Sequence, residues 1–265
     1  MPRSGQTPAR PRSTDPADYQ QVPRPVAAMA KDFAAGQHIA RHLHARAQLI
    51  FAAAGVMLVS TDKGSWAVPP QRAVWMPAGV AHEIRLPGAV AMRTLYVRPD
   101  AAGRMPARVR VIAVSALLRE LILRACALPV LYDERGAAGR LMTLILDEIA
   151  GLPTLGLDLP MPRDPRLARI CRALGGDPGS TRTLEDWGRE AGGSGRTLAR
   201  LFLRETGLTF AAWRQQARLL AALARLAAGE PVTRIALDLG YESPSAFAAM
   251  FKRALGAPPS RYLAS

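Results

Sequence analysis

Three of the four histidines in this chain fall into two short patterns, Gly36-x5-His42-x-His44-x3-Gln48-x6-Gly55 and Pro77-x-Gly79-x2-His82. On a strand, alternate residues point to one face, so His42 and His44 are expected to project together. His82 follows the turn at Pro77-Ala78-Gly79. Three neutral imidazoles suit one divalent transition metal: zinc, nickel, copper or iron(II). Gln48 offers a neutral oxygen where a carboxylate would favour harder cations. The same side chains can instead hydrogen-bond a small-molecule effector or one another, and both readings stand. His38 lies outside the pattern and reads as a surface residue. Glu83 is the only carboxylate close to the set in sequence, which leaves acid–base catalysis poorly supplied. Trp66 and Trp75 read as core or as part of a ligand cage.

A second constellation lies in an internal repeat. Leu198, Leu201, Phe202 and Gly207 recur 49 positions later as Phe247, Met250, Phe251 and Gly256, and Ser194 recurs as Ser243. Ahead of the turn the offset is 48, pairing Trp187 with Ile235 and Gly192 with Gly240. Each copy reads as a helix, a Gly turn, a capping Ser and a second helix. This is helix-turn-helix grammar, in which the second helix enters a major groove. In the first copy Arg196, Thr197 and Arg200 lie opposite the apolar stripe, near the helix start. An arginine there can bond guanine bidentately, or else contact only phosphate. In the second copy the outer face carries Ser245 and two alanines, with Lys252 and Arg253 placed for phosphates. Unequal halves are therefore expected: the first reads bases and the second anchors. Between them, residues 211–228 form one apolar-faced helix with Arg214, Arg218 and Arg225 turned outward.

The elements that must position these groups divide the chain. Residues 1–28 are rich in Pro and Arg without periodicity, so a disordered tail is expected there, dispensable for folding and DNA affinity. In 29–100, short β-branched and aromatic runs (Leu49–Phe51, Val56–Val59, Val74–Met76, Thr94–Val97) alternate with Gly/Pro turns, as in a sandwich or barrel. Residues 101–160 read as a helical linker, its apolar faces either packing on the barrel or dimerising. Residues 161–265 read as all-helical, with helix-turn-helix units at 184–205 and 232–254. The fold class is thus α+β and multidomain.

Composition bounds the partners. The net charge is +14, from 35 Lys+Arg against 21 Asp+Glu, and only three of those cations are lysine. A polyanionic partner fits, but so does an arginine-rich background. From residue 163 on there are 16 Lys+Arg against 9 Asp+Glu, half of the excess, so charge alone locates nothing. Two unpaired-looking cysteines support neither a disulfide framework nor a cysteine zinc site. No apolar run approaches membrane-spanning length and no secretory h-region is visible, so a cytoplasmic protein without membrane contact is expected.

Two resemblances sharpen these expectations. Ile235-Ala236…Gly240-Tyr241-Glu242-Ser243-Pro244-Ser245-Ala246-Phe247…Phe251-Lys252…Gly256…Pro259…Tyr262 resembles the signature of the AraC/XylS transcription regulators. Ser194…Leu198-Ala199-Arg200-Leu201-Phe202…Gly207 resembles the same family's first motif. Trp187, Gly188 and Leu263 depart from it, and Gly188 is expected to cost its helix about 0.5–1 kcal/mol against Ala. The histidine patterns resemble the two motifs of the cupin β-barrel, with Gln48 in the place of the usual Glu. Together they imply a cupin-like sensor domain, a helical linker and an AraC-type domain binding double-stranded DNA. An effector or metal would then change how the paired motifs meet DNA or RNA polymerase, with a homodimer as a further expectation. The competing class is a metal-dependent cupin enzyme fused to a DNA-binding domain.

Overall fold

The computed structural model describes residues 12–155 and 157–262. The first half is two antiparallel sheets facing each other. Its strands are β1 (Val26–Phe33), β2 (Gln37–His42), β3 (Ala47–Ala54), β4 (Met57–Thr61), β5 (Gly64–Val68), β6 (Arg72–Met76), β7 (His82–Leu86), β8 (Val90–Val97), β9 (Arg110–Ala113), β10 (Thr154–Leu155) and β11 (Asp158–Pro160). One sheet runs β1-β8-β3-β6-β9-β10 and the other β11-β5-β4-β7-β2. The four expected strand runs all lie in this barrel, within β3, β4, β6 and β8 apart from Val56 at the edge of β4.

The run from Leu49 to Val59 is apolar because β3 is covered on both sides. Ile50 and Ala52 face the barrel interior with Val74, Met76 and Met92. Leu49 and Phe51 face outward, under α1 (Ala116–Ala127) and α2 (Ala137–Gly151), where they meet Leu118, Ile122, Ile145 and Ile149. The helical stretch after the barrel therefore packs on it, as one of the two sequence readings had it. Leu117 and Leu144, expected on the same apolar faces, are exposed.

Two domain boundaries need correction. The stretch 101–160 is not only helical, because β9 and β10 extend one sheet and β11 the other. The expected tail, where described, is ordered: a 3-10 turn at Pro16–Tyr19 leads into β1, which starts at Val26. Tyr19 is buried and stacks on Tyr96 with ring centroids 5.9 Å apart. Arg46 is buried too, and its guanidinium donates to the carbonyls of Gln20 (3.0 Å), Arg24 (2.9 Å) and Val22. A Pro-rich segment cannot form its own ladder, so one arginine two dozen residues downstream supplies the donors instead. Residues 1–11 of that expected tail lie outside the described residues. Arg46→Met should strip three carbonyls of their donor and lower stability by about 2–4 kcal/mol, read as a fall in thermal midpoint.

The second half is helical: α3 (Pro165–Gly176), α4 (Leu184–Ala191), α5 (Gly195–Thr206), α6 (Phe210–Ala227), α7 (Val232–Asp238), α8 (Pro244–Leu255) and α9 (Pro259–Tyr262). The sequence-predicted units at 184–205 and 232–254 coincide with α4–α5 and α7–α8 to within one residue. Ser194 and Ser243 cap α5 and α8, each accepting at 3.2 Å from a backbone N–H three residues on. Gly192 and Gly240 make the turns with φ of 70° and 76°, the left-handed region that glycine enters without steric cost.

Gly188 is a requirement of the turn rather than the defect that helix propensity predicts. A Cβ there would lie 2.3 Å from the carbonyl oxygen of Gly193, a backbone atom of the α4–α5 turn. Gly188→Ala is therefore expected to destabilise, by about 1–3 kcal/mol through overpacking. Chemical denaturation checks the sign, since propensity alone predicts a gain.

Candidate effector site and nucleic-acid interface

The barrel brings His42, His44 and His82 together, with one ring nitrogen of each within 4.8 Å of the others. His42 ends β2 and pairs directly across from His82, the first residue of β7, with ring centroids 4.4 Å apart. His44 is not on that strand, contrary to the alternation argument. It sits in the crossover from β2 to β3, where its carbonyl accepts from Gly79 N–H at 2.9 Å. That bond ties the first histidine pattern to the turn of the second.

The ring tautomers follow from local bonds. Nδ1 of His42 is 2.7 Å from the carbonyl of Ala40, and Nδ1 of His82 is 2.9 Å from that of Val80. A carbonyl only accepts, so each Nδ1 carries the proton and each Nε2 keeps its lone pair. His82 is fully buried and its Nε2 has no partner; His44 is 7% exposed and its Nε2 has none either. Burial, with the neighbouring imidazoles adding to it, pushes His44 down to about 4. Burial lowers His82 as well. Both rings are therefore neutral at pH 7, the form that binds a metal.

Gln48 lies on the interior face of β3. Thr94 Oγ1 donates to the Leu49 carbonyl at 3.0 Å, so it can only accept from the Gln48 amide nitrogen, also at 3.0 Å. This fixes the amide orientation and leaves Gln48 Oε1 buried without a partner. Tyr96 joins the two groups: its hydroxyl lies 3.4 Å from Gln48 Nε2, and its ring meets His44 edge-on at 5.1 Å. Thr94 and Tyr96 were not singled out from the sequence. Their alternation along β8 puts both on one face, but only the β3–β8 register sets Tyr96 opposite Gln48.

Three buried acceptors without donors, His44 Nε2, His82 Nε2 and Gln48 Oε1, are costly to leave unmet. Three imidazole nitrogens and an amide oxygen fit a borderline transition metal, so the residues present suit the group that the fold implies. Glu83 is turned away from them, 3.4 Å from His38 and 3.6 Å from Arg85. His38 is accordingly a surface residue, as expected. Of the two tryptophans, Trp75 is core, 1% exposed and bonded through Nε1 to the Pro106 carbonyl.

On the helical half, α5 buries Leu198 and Phe202 and leaves Arg196, Thr197 and Arg200 exposed. The Thr197 hydroxyl is shared with the Ser194 cap at 3.0 Å, which ties it to helix initiation. Helix α8 buries Phe247, Met250 and Phe251 and exposes Ser245, Lys252 and Arg253. Arginines elsewhere in this half are spent: Arg166, Arg182, Arg189 and Arg225 are ion-paired to Asp164, Glu190, Asp186 and Glu230. Arg196, Arg200, Lys252 and Arg253 make no ion pair among the described residues. The outward placement expected for Arg214, Arg218 and Arg225 needs correcting. Arg214 and Arg218 donate to the carbonyls of Arg182 and Pro178, and Arg225 holds both Glu230 and Asp238. These side chains clamp α6 onto neighbouring turns.

Comparison with known proteins matches this architecture in both halves. The AraC-like ligand binding domain matches residues 32–182, and a helix-turn-helix domain matches residues 187–265. The chain belongs to the AraC-like family of transcriptional regulators. The HTH-type transcriptional regulator NimR of Escherichia coli is 36% identical over 223 residues, covering 84% of this chain and 81% of NimR. The HTH-type transcriptional regulator RipA of Corynebacterium glutamicum is 34% identical over 104 residues, 39% of this chain and 31% of RipA. Among solved structures, ToxT from Vibrio cholerae is 11% identical over 90% of this chain and 97% of that one, with a TM-score of 0.39. As a member of the AraC-like family the chain is a DNA-binding transcription regulator with an N-terminal ligand-sensing domain, and not an enzyme. No helix among the described residues is long and apolar enough to cross a membrane.

Proposed function

We propose that this regulator senses a divalent transition metal at His42, His44 and His82, with Gln48 Oε1 as a neutral fourth donor, and that occupancy alters its grip on promoter DNA. The observation that carries the reading is the set of buried acceptors with no donor, two imidazole nitrogens and one amide oxygen. A metal there would supply Lewis-acid charge to a pocket that holds no carboxylate among the described residues. The chain's own residues set the tautomers, exclude water and orient the ligands.

On the DNA side, Arg196 and Arg200 read base edges in the major groove, with Thr197 supporting the helix start. Ser245, Lys252 and Arg253 hold the backbone of a neighbouring groove and fix register. A contact with RNA polymerase and a homodimer across α1 and α2, where Leu117 and Leu144 are exposed, complete the reading. Elemental analysis of protein purified without chelator tests the sensor half. Close to one zinc, nickel, copper or iron per chain is expected, and a metal-free wild type contradicts it.

A further inference from the structure

A second cavity, about 470 Å³, lies where the barrel meets the end of the first recognition helix. No member of the histidine set lines it. Its walls come from Trp66 on β5, from the approach to β9 at Arg108 and Arg110, and from Arg163 and Glu205 on the DNA-binding side. Four cations, Lys63, Arg108, Arg110 and Arg163, are set against two carboxylates, Asp158 and Glu205. One Glu205 oxygen is already engaged, accepting from the backbone N–H groups of Arg163 at 2.7 Å and Asp164 at 2.9 Å. None of the four cations is ion-paired among the described residues. The cavity therefore has positive charge to spare.

Trp66 supplies the second observation. It is 5% exposed, and its Nε1 donor has no partner. A buried N–H without an acceptor is disfavoured, and an acceptor entering the cavity would relieve it. Val80 and Val109 extend the apolar wall beside the indole. A volume of this size suits a small organic ligand. We infer that the cavity binds an organic carboxylate, its acid group held by Arg108 and Arg110 and its apolar body lying against Trp66.

The position gives such a ligand a route to the DNA-binding half. Strand β11 belongs to both halves: Asp158 pairs with Trp66 in the sheet, while the Pro160 carbonyl accepts from Trp213 Nε1 of α6 at 2.8 Å. The chain then runs directly to Arg163 and Asp164, which Glu205 of α5 holds. A ligand seated among these groups touches the barrel, the shared strand and the recognition helix at once. This site is separate from the metal reading above and does not depend on it.

Calorimetric titration of the full-length protein with hydrocinnamate, its neutral amide and inorganic phosphate tests the inference. Hydrocinnamate should bind, and the amide and phosphate should each bind at least about tenfold more weakly, because the site pairs charge with apolar contact. Arg108→Ala with Arg110→Ala should weaken hydrocinnamate by about tenfold or more without moving the thermal midpoint, since both side chains are exposed. Trp66→Phe should give a smaller loss, and His42→Ala with His44→Ala none. The inference is overturned if hydrocinnamate does not bind, if the amide or phosphate binds as tightly, or if the Arg108/Arg110 variant keeps full affinity. Loss of hydrocinnamate binding in the His42/His44 variant would also overturn it.

Discussion

His42→Ala combined with His44→Ala is expected to empty the sensor of metal. Removing two of three imidazoles leaves His82 and the Gln48 carbonyl, a set too sparse to hold a divalent ion against water. Affinity should fall by about 100-fold or more, given that even a change to an outer-shell partner typically costs 10–100-fold. The wild type should gain thermal stability when zinc is added, because a ligand that binds only the folded state stabilises it in proportion to the logarithm of its concentration over Kd. The variant should show no such gain. Its apo midpoint should stay near that of the apo wild type, since His42 is only half-buried and His44 has an unpaired Nε2. A zinc-dependent midpoint surviving in the variant would move the metal elsewhere.

The second large effect belongs to α5. Arg196→Ala with Arg200→Ala removes two exposed cations that make no ion pair among the described residues, so the fold should be unaffected. If each is bidentate to a guanine, each contributes about 1–3 kcal/mol of discrimination, and together they should cost about two to four orders of magnitude in specific affinity. Non-specific affinity should fall far less, because Lys252, Arg253 and the overall charge of +14 still attract phosphate. Lys252→Ala is the contrast: a uniform loss across sequences and a shallower salt dependence. Competition binding against operator and random duplex at two salt concentrations separates the cases. Equal loss on both duplexes would make Arg196 and Arg200 phosphate contacts instead.

Much of this was legible in the sequence because it is local. The repeat of Leu198, Leu201 and Phe202 as Phe247, Met250 and Phe251 fixes two helical stripes, and Ser194, Ser243, Gly192 and Gly240 punctuate them by their own backbone chemistry. The histidines were legible by type and rarity. What sequence could not supply was anything set by register or distant pairing. Alternation put His44 on a strand, but the chain leaves β2 at His42, and His44 reaches the cluster from a crossover. Tyr96 enters the site only through the β3–β8 ladder. The Pro-rich start looked disordered because its donors come from Arg46, which no local pattern links to Gln20, Val22 and Arg24. Gly188 looked like a weak helix residue because propensity does not see the Gly193 carbonyl beside it.

The sensor and the DNA face matter to each other only if they are energetically coupled, and coupling between sites of this kind is typically about 1–3 kcal/mol. The direct measurement is the dissociation constant for operator DNA of metal-loaded and chelated wild type, alongside His42→Ala/His44→Ala under both conditions. A shift of about fivefold or more in the wild type, absent from the variant, is the predicted result. Identical operator affinity with and without metal, or the same shift in the variant, would contradict metal sensing through His42, His44 and His82.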